Sequence, residues 1–197
     1  ALKHPKWKMG KKISVDSATL MNKMLELIEA QKLFKISSNK IDILIHPNSL
    51  IHAIVKLKNG LSKFIYHETT MIVPIANAIF ENNFDIKNFY NKGKREVFEN
   101  LEFRKVDEKT FPIFKIKNRL TELPSTPIII NASNEVLVGH FLKKKIPFQA
   151  IFKIIMTILN DRNYKKYAIR NARNFQEIEI IDKWSKITTM KKLNIYV

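Results

Sequence analysis

The spacing of apolar residues changes near residue 41, and this change indicates which fold class the chain can adopt. Over residues 19–34, apolar side chains recur three to four positions apart, which is the spacing of one buried helix face. From Ile41 onward they recur at every second position, which is typical of strands. The pattern predicts an α+β fold, with a small antiparallel sheet packed with helices, followed by an all-helical C-terminal domain. The predicted helix face consists of Leu20, Met24, Leu27 and Ile28.

The pair Asn59-Gly60 indicates a β-hairpin. It separates an alternating run over residues 51–57 from a return strand over 61–67, and Asn-Gly between two such runs is a strong signal for a tight turn. One face of this sheet is expected to pack on the preceding helix. The other face is available for a second subunit.

Helical spacing returns from about residue 107, where prolines and capping residues divide the chain into helices. We expect Asn131 to cap one of them and Pro147 to begin the next. The predicted helices span residues 75–80, 111–120, 131–145, 148–158 and 174–190. These patterns divide the chain into a sheet-bearing region (1–69), a connecting segment (70–106) and a C-terminal helical domain (107–197).

The chain carries a formal charge of +17 from 35 basic and 18 acidic residues, which suggests nucleic-acid binding as one function. However, only six basic residues are arginines, and the lysines are spread among abundant Ile and Asn, a bias that AT-rich codons produce. A nucleic-acid groove needs basic residues on one face with interleaved aromatics. We therefore expect no nucleic-acid partner. The lack of cysteine and of a long apolar run favours a cytoplasmic protein with no membrane partner.

Residues 11–26 (KKISVDSATLMNKMLE) contain the main candidate site. They predict a strand end that leads into a helix with Ser17 as its N-cap, and a helix start attracts phosphate. Asn22, Lys23 and Glu26 then share one helix face. This face places amide and ammonium donors beside a carboxylate that suits Mg²⁺ or Mn²⁺. The simpler alternative is an ordinary amphipathic helix with a solvated Lys–Glu pair.

Several motifs closely resemble the 1-deoxy-D-xylulose 5-phosphate reductoisomerase family. They are HPKWKMG (4–10), SVDSAT (14–19), MNK (21–23) followed by LE (25–26), LIHPNSLIH (44–52) and INASNE (130–135). The resemblance covers most of the chain and weakens over about 85–100 and toward the C-terminus. It identifies the chain as the catalytic and C-terminal part of such an enzyme. The resemblance implies that residues 1–69 are a partial catalytic, metal-binding and dimerisation region.

The resemblance implies an activity for the whole enzyme. Family members rearrange 1-deoxy-D-xylulose 5-phosphate with a bound Mg²⁺ or Mn²⁺. They then reduce the intermediate with NADPH to 2-C-methyl-D-erythritol 4-phosphate, in non-mevalonate isoprenoid synthesis. A homodimer is also implied. The chain begins at Ala1 without Met and has no Gly-x-Gly-x-x-Gly, so we expect a fragment that lacks the N-terminal NADPH-binding domain and is inactive alone. The alternatives are a non-catalytic dimerisation or scaffold fragment and, less favoured, a basic nucleic-acid-binding module.

The resemblance also implies roles for individual residues. Glu26 corresponds to a metal ligand, whose Asp and Glu partners lie upstream in the family, and it is expected to act in catalysis with Lys23 and His4. Trp7 and Met9 belong to a loop that is expected to close over the substrate. No cofactor-binding residue is expected in this chain. The residues expected to contact substrate are His4, Trp7, Met9, Ser17, Asn22, Lys23, Ser49 and His52.

Some of these residues have plainer explanations, and some positions depart from the family. A lone His is more often a packed or surface residue than a ligand, so His52 could simply line the sheet, and His46 is expected to be structural. The motif over 130–135 indicates a capped helix start with an architectural role. Met24 stands where the family usually has Gly, and residues 67–71 differ from its usual Gly-containing turn.

Overall fold

The computed structural model describes residues 1–2, 9–81, 83–89 and 101–194. These residues form two compact units. Unit 1 contains residues 9–43 and 106–194 with the first two residues, and unit 2 contains the described residues between 44 and 105. The N-terminal helices thus share a unit with the C-terminal ones, and the expected segments 1–69, 70–106 and 107–197 stay a prediction.

The described chain is mainly helical, with short antiparallel strand pairs, and the predicted α+β class is confirmed. Within the described residues, no helix is long and apolar enough to cross a bilayer. Short 3₁₀ turns lie at Ser38–Lys40, Ile86–Asn88 and Pro112–Arg119. The α-helices are α1 (Lys11–Thr19), α2 (Met21–Phe34), α3 (Ile72–Phe80), α4 (Thr126–Leu142), α5 (Phe148–Leu159), α6 (Tyr164–Ala168) and α7 (Phe175–Leu193).

Unit 1 is built around α4, which packs against α1, α2, α5 and α7. A helix surrounded in this way is apolar on most sides, and Ile129, Ile130 and Leu137 of α4 are almost completely buried. Helix α5 contributes Ile151 and Ile155 to the same core. The predicted helices over 148–158 and 174–190 are confirmed, and residues 112–119 are a 3₁₀ helix within the predicted 111–120.

Asn131 is not a helix cap, so that prediction is wrong. Helix α4 begins at Thr126, and Asn131 lies inside it on the exposed side. Pro127 occupies the first turn, where its fixed φ is compatible with a helix and its missing N–H needs no partner.

Unit 2 contains the predicted hairpin. Strand β1 (Leu44–Ile45) pairs with β4 (Arg104–Lys105), and β2 (Ile51–Lys56) pairs with β3 (Ser62–Tyr66), both antiparallel. Gly60 has φ of 87° in the hairpin turn, a conformation that glycine adopts without steric cost. The Asn59-Gly60 prediction is therefore confirmed.

A polar network around Glu122 joins the 3₁₀ helix over 112–119 to the end of α5 and to α6 in unit 1. Arg119 donates to both Glu122 oxygens, at 2.9 and 3.0 Å, and to the carbonyl of Leu159 at 2.9 Å. The hydrogen bond from Arg119 lowers the pKa of Glu122. Burial, followed by the hydrogen bond to Glu122 Oε1, raises the pKa of Tyr164 to about 12. These polar groups satisfy one another's hydrogen-bonding capacity, and the network stabilises the helix ends.

Candidate functional site

Three polar side chains meet on the first turns of α2. Glu26 Oε1 accepts a hydrogen bond from Asn22 Nδ2, and Glu26 Oε2 accepts one from Lys23 Nζ, each at 2.6 Å. Lys23 and Glu26 are 46% and 45% exposed, so this α2 cluster (Asn22, Lys23 and Glu26) is accessible to a ligand. The predicted shared face is thus present in the structure.

A break in the helix places the α2 cluster at a helix start. Leu20 has φ of 70° and separates α1 from α2, and its N–H donates to the Ser17 carbonyl at 3.1 Å. Thr19 Oγ1 accepts from the N–H of Met21 at 3.2 Å, which satisfies one of the first backbone donors of α2. Helix α2 therefore has its own N-terminus in the middle of a helical region.

This geometry corrects the predicted N-cap role of Ser17 and places Asn22 and Lys23 at a helix start. Ser17 is half-buried in the last turn of α1, so neither the predicted strand end before it nor its N-cap role is correct. Asn22 and Lys23 lie in the first turn of α2, where the positive end of the helix dipole favours anions. These two residues therefore lie where a helix start favours an anion.

Asp16, near the C-terminal end of α1, is a buried carboxylate that the sequence did not single out. This carboxylate is only 3% exposed and accepts hydrogen bonds from Asn134 Nδ2 at 2.8 Å and Lys12 Nζ at 2.7 Å. Asn134 is fully buried in α4, so the bond joins α1 to the central helix of unit 1. The expected architectural role of the 130–135 motif fits Asn134. No local signal in the sequence pairs it with Asp16.

The opposite face of α2 is buried, as predicted. Met24 is completely buried in the core of unit 1, on the side of α2 away from the polar cluster. The Met at this position therefore contributes to packing and removes nothing from the candidate site. The buried face contains Leu20, Met24, Leu27 and Ile28.

Two further candidates, Ser49 and His52, lie in unit 2. Ser49 has φ of 55° and its N–H donates to the His46 carbonyl at 3.0 Å, in the turn that leads into β2. His52 is exposed and stacks on the ring of His67, so it does not line an apolar sheet face. His46 stacks on Phe103, in keeping with the expected structural role.

The remaining predicted residues lie near the start of the chain. Met9 is half-buried just before Gly10, the residue that precedes α1. His4 and Trp7 lie outside the described residues. Among the described residues, no three His, Cys, Asp or Glu side chains come together as a metal site. Glu26 is the predicted metal ligand, and a carboxylate has lone pairs for a cation in addition to its two hydrogen bonds.

Two family models match the chain, and both describe the C-terminal part of a reductoisomerase. One, the DXP reductoisomerase C-terminal domain, matches residues 67–188. The other, the 1-deoxy-D-xylulose 5-phosphate reductoisomerase C-terminal domain, matches residues 1–34 and so includes the α2 cluster. Because the first model alone covers more than half of the chain, the chain belongs to the 1-deoxy-D-xylulose 5-phosphate reductoisomerase family. The resemblance stated from the motifs is confirmed.

Curated relatives carry the same family name. The 1-deoxy-D-xylulose 5-phosphate reductoisomerase of Pelagibacter ubique (strain HTCC1062) is 42% identical over 193 residues, covering 96% of this chain and 50% of the relative. That of Wolbachia pipientis subsp. Culex pipiens (strain wPip) is 40% identical, covering 87% of this chain and 44% of the relative. The chain therefore spans about half the length of the curated relatives it matches.

Solved structures of reductoisomerases also match the fold of this chain. A DOX-P reductoisomerase in complex with NADPH, fosmidomycin and magnesium matches with a TM-score of 0.88 and 30% identity, over 100% of this chain and 49% of that chain. The Zymomonas mobilis 1-deoxy-D-xylulose 5-phosphate reductoisomerase in complex with NADPH matches with a TM-score of 0.79 and 30% identity, over 98% and 48%. The fold is thus shared with the C-terminal half of these enzymes.

Proposed function

We propose that this chain provides the phosphate-binding residues and one metal ligand of a 1-deoxy-D-xylulose 5-phosphate reductoisomerase. The observation that carries the proposal is the α2 cluster, where an amide, an ammonium and a carboxylate lie together at a helix start within a matched family domain. The reaction is the isomerisation and NADPH-dependent reduction of 1-deoxy-D-xylulose 5-phosphate to 2-C-methyl-D-erythritol 4-phosphate.

Lys23 and Asn22 are proposed to bind the substrate and, with Lys23 in a catalytic role, to orient its oxygens. The Lys23–Glu26 pair is half-exposed and three residues apart on a helix, so it is worth only about 0.3–0.5 kcal/mol. A charge-assisted hydrogen bond to a phosphate is worth roughly 1.5–3 kcal/mol. The phosphate is therefore the stronger partner, and Lys23 can turn from Glu26 toward the substrate.

Glu26 is proposed to be one ligand of Mg²⁺ or Mn²⁺, with its other ligands outside the residues described. Its hard, half-exposed carboxylate oxygens fit such a cation. When bound, the metal would stabilise negative charge on substrate oxygens, and NADPH would supply the hydride. The amide of Asn22 holds one Glu26 oxygen in place, which fixes the direction of the carboxylate.

The other candidate residues keep the roles predicted for them. Ser17, Ser49 and His52 are proposed substrate contacts. Met9, with Trp7 and the catalytic candidate His4, belongs to the segment proposed to cover the ligand. These roles come from the family motifs in which the residues lie.

The proposed protein is a cytoplasmic homodimer with no nucleic-acid or membrane partner. Exposed apolar side chains on the hairpin, including Val55, Phe64 and Ile65, support burial against a second subunit. The dispersed lysines and the few arginines argue against a nucleic-acid groove.

An assay of the complete protein that contains this chain tests the proposal. NADPH oxidation should require both 1-deoxy-D-xylulose 5-phosphate and a divalent metal, because the charge that forms on substrate oxygens needs the cation. EDTA should abolish turnover, and added Mg²⁺ or Mn²⁺ should restore it. A well-folded complete protein that dimerises without any turnover would favour the scaffold alternative.

Replacing Lys23 by Ala should weaken binding of phosphorylated ligands without affecting neutral ones. Loss of a charge-assisted hydrogen bond worth roughly 1.5–3 kcal/mol corresponds to about a ten- to hundredfold rise in Kd. Calorimetric titration with a phosphorylated substrate analogue and its dephosphorylated form measures this difference. Lys32→Ala, at the exposed end of the same helix, is the matched control. Equal losses for both ligands would show that Lys23 does not bind the phosphate.

A further inference from the structure

His52 lies at an irregularity in the hairpin. The ladder pairs Ile51 with Tyr66 and Ala53 with Ile65, so His52 is an extra residue without a position opposite it on β3. Such a bulge turns a side chain away from the regular alternation of the strand. The His52 ring stacks on that of His67, with centroids 3.6 Å apart and ring planes 8° apart.

The hydrogen bonds around this pair determine which nitrogens carry protons. His52 Nε2 lies 3.0 Å from the carbonyl oxygen of His67, and a carbonyl can only accept, so Nε2 carries a hydrogen. His67 Nδ1 lies 2.6 Å from the carbonyl of Glu68 and carries a hydrogen for the same reason. The His67 ring is thus held by its own neighbour in the chain, and it forms a fixed flat surface for His52.

His67 itself is anchored to the sheet. Its N–H donates to the carbonyl of Leu50 at 3.1 Å, which extends the hairpin pairing beyond β3. Its side chain is half-buried, whereas His52 is exposed. The anchored ring therefore orients the exposed one.

We propose that His67 is a positioning residue for His52 in the binding of the phosphorylated substrate. This inference rests on the proposed function, in which His52 contacts the substrate. The stacked ring fixes the plane of His52, and the backbone carbonyl of His67 fixes its tautomer. A flexible imidazole would have to lose this freedom on binding, so holding it in advance improves affinity.

Three variants of the complete enzyme test whether the planar ring of His67 positions His52. His67→Leu keeps the bulk of the side chain but removes the planar ring. We expect KM for the phosphorylated substrate to rise about tenfold and kcat to change less than about twofold. A tenfold effect is within the range of interaction energies measured between residues in contact. His67→Phe restores a planar ring and should recover KM to within about threefold of wild type. His140→Leu, a histidine in α4 of unit 1, is the control and should leave KM unchanged.

Two further measurements separate positioning from folding. Nitrogen-15 NMR of His52 should show the Nε2–H tautomer in the wild type and in His67→Phe. His67→Leu keeps the backbone carbonyl that accepts from Nε2, but without the stacked ring the imidazole can rotate away from this carbonyl, so a mixture of tautomers is expected. In a His52→Ala background, His67→Leu should add no further rise in KM, because the residue it positions is gone. A wild-type KM for His67→Leu, or an additional loss in the His52→Ala background, would overturn the proposal.

The outcome also distinguishes this proposal from the proposed function. If His52→Ala raises KM while His67→Leu does not, only the positioning role fails. If His52→Ala leaves KM unchanged, the substrate contact assigned to His52 under the proposed function fails as well.

Discussion

Replacing Glu26 by Gln should reduce kcat of the complete enzyme by at least about a hundredfold. The substitution keeps the size of the side chain but removes the negative charge that, under the proposed function, would hold the cation. Stabilisation of substrate oxygens by such a cation would be worth on the order of several kcal/mol. Steady-state assays at saturating Mg²⁺ or Mn²⁺ measure the effect. Folding should be almost unchanged, since Glu26 is half-exposed and its ion pair is worth about 0.5 kcal/mol or less.

Glu29→Gln is the matched control for this prediction. Glu29 is exposed on the same helix, one turn along and outside the α2 cluster, so its substitution should leave kcat within about twofold, as is usual for surface changes. A loss of less than about tenfold for Glu26→Gln, equivalent to roughly 1.4 kcal/mol, would show that Glu26 is not a metal ligand.

Replacing Asn134 by Ala should lower the free energy of unfolding by about 2–3 kcal/mol. The change removes a hydrogen bond to a buried carboxylate and leaves Asp16 with less compensation for its lost hydration. The buried Asn134 Oδ1 has no hydrogen-bond partner among the described residues, so removing it offsets a small part of this cost. Urea unfolding followed by circular dichroism measures the difference.

Lys12→Ala is the comparison for Asn134→Ala, because Lys12 binds the same carboxylate from the solvent side. Its side chain is 50% exposed, so its loss should cost less than about 1 kcal/mol. Equal costs for the two variants would show that the surface ion pair, and not the buried bond between α1 and α4, stabilises Asp16.

The parts of the fold that sequence predicted well are those with strong local signals. The hairpin follows from Asn59-Gly60 between two alternating runs, and the buried face of α2 follows from its helical spacing. The α2 cluster was found because Asn22, Lys23 and Glu26 are three or four residues apart. Contacts at this spacing within a helix require no knowledge of the rest of the fold.

The parts that were missed depend on distant contacts. Residues 11–16 resemble a strand because Ile13 and Val15 are β-branched, yet packing of α1 on α4 outweighs that preference. The bond between Asp16 and Asn134 joins residues 118 positions apart, and nothing local pairs them. The stacking of His52 on His67 depends on a bulge, which alternation alone does not reveal.

The left-handed residue Leu20 has a consequence for electrostatics. In one uninterrupted helix, the backbone N–H groups near Asn22 and Lys23 would be used by carbonyls one turn earlier, and this surface would have no positive character. Holding a leucine in this conformation costs roughly 1–2 kcal/mol. The break gives the exposed surface at the start of α2 a fractional positive charge that comes from the backbone. A side-chain substitution that preserves the break therefore cannot remove this charge.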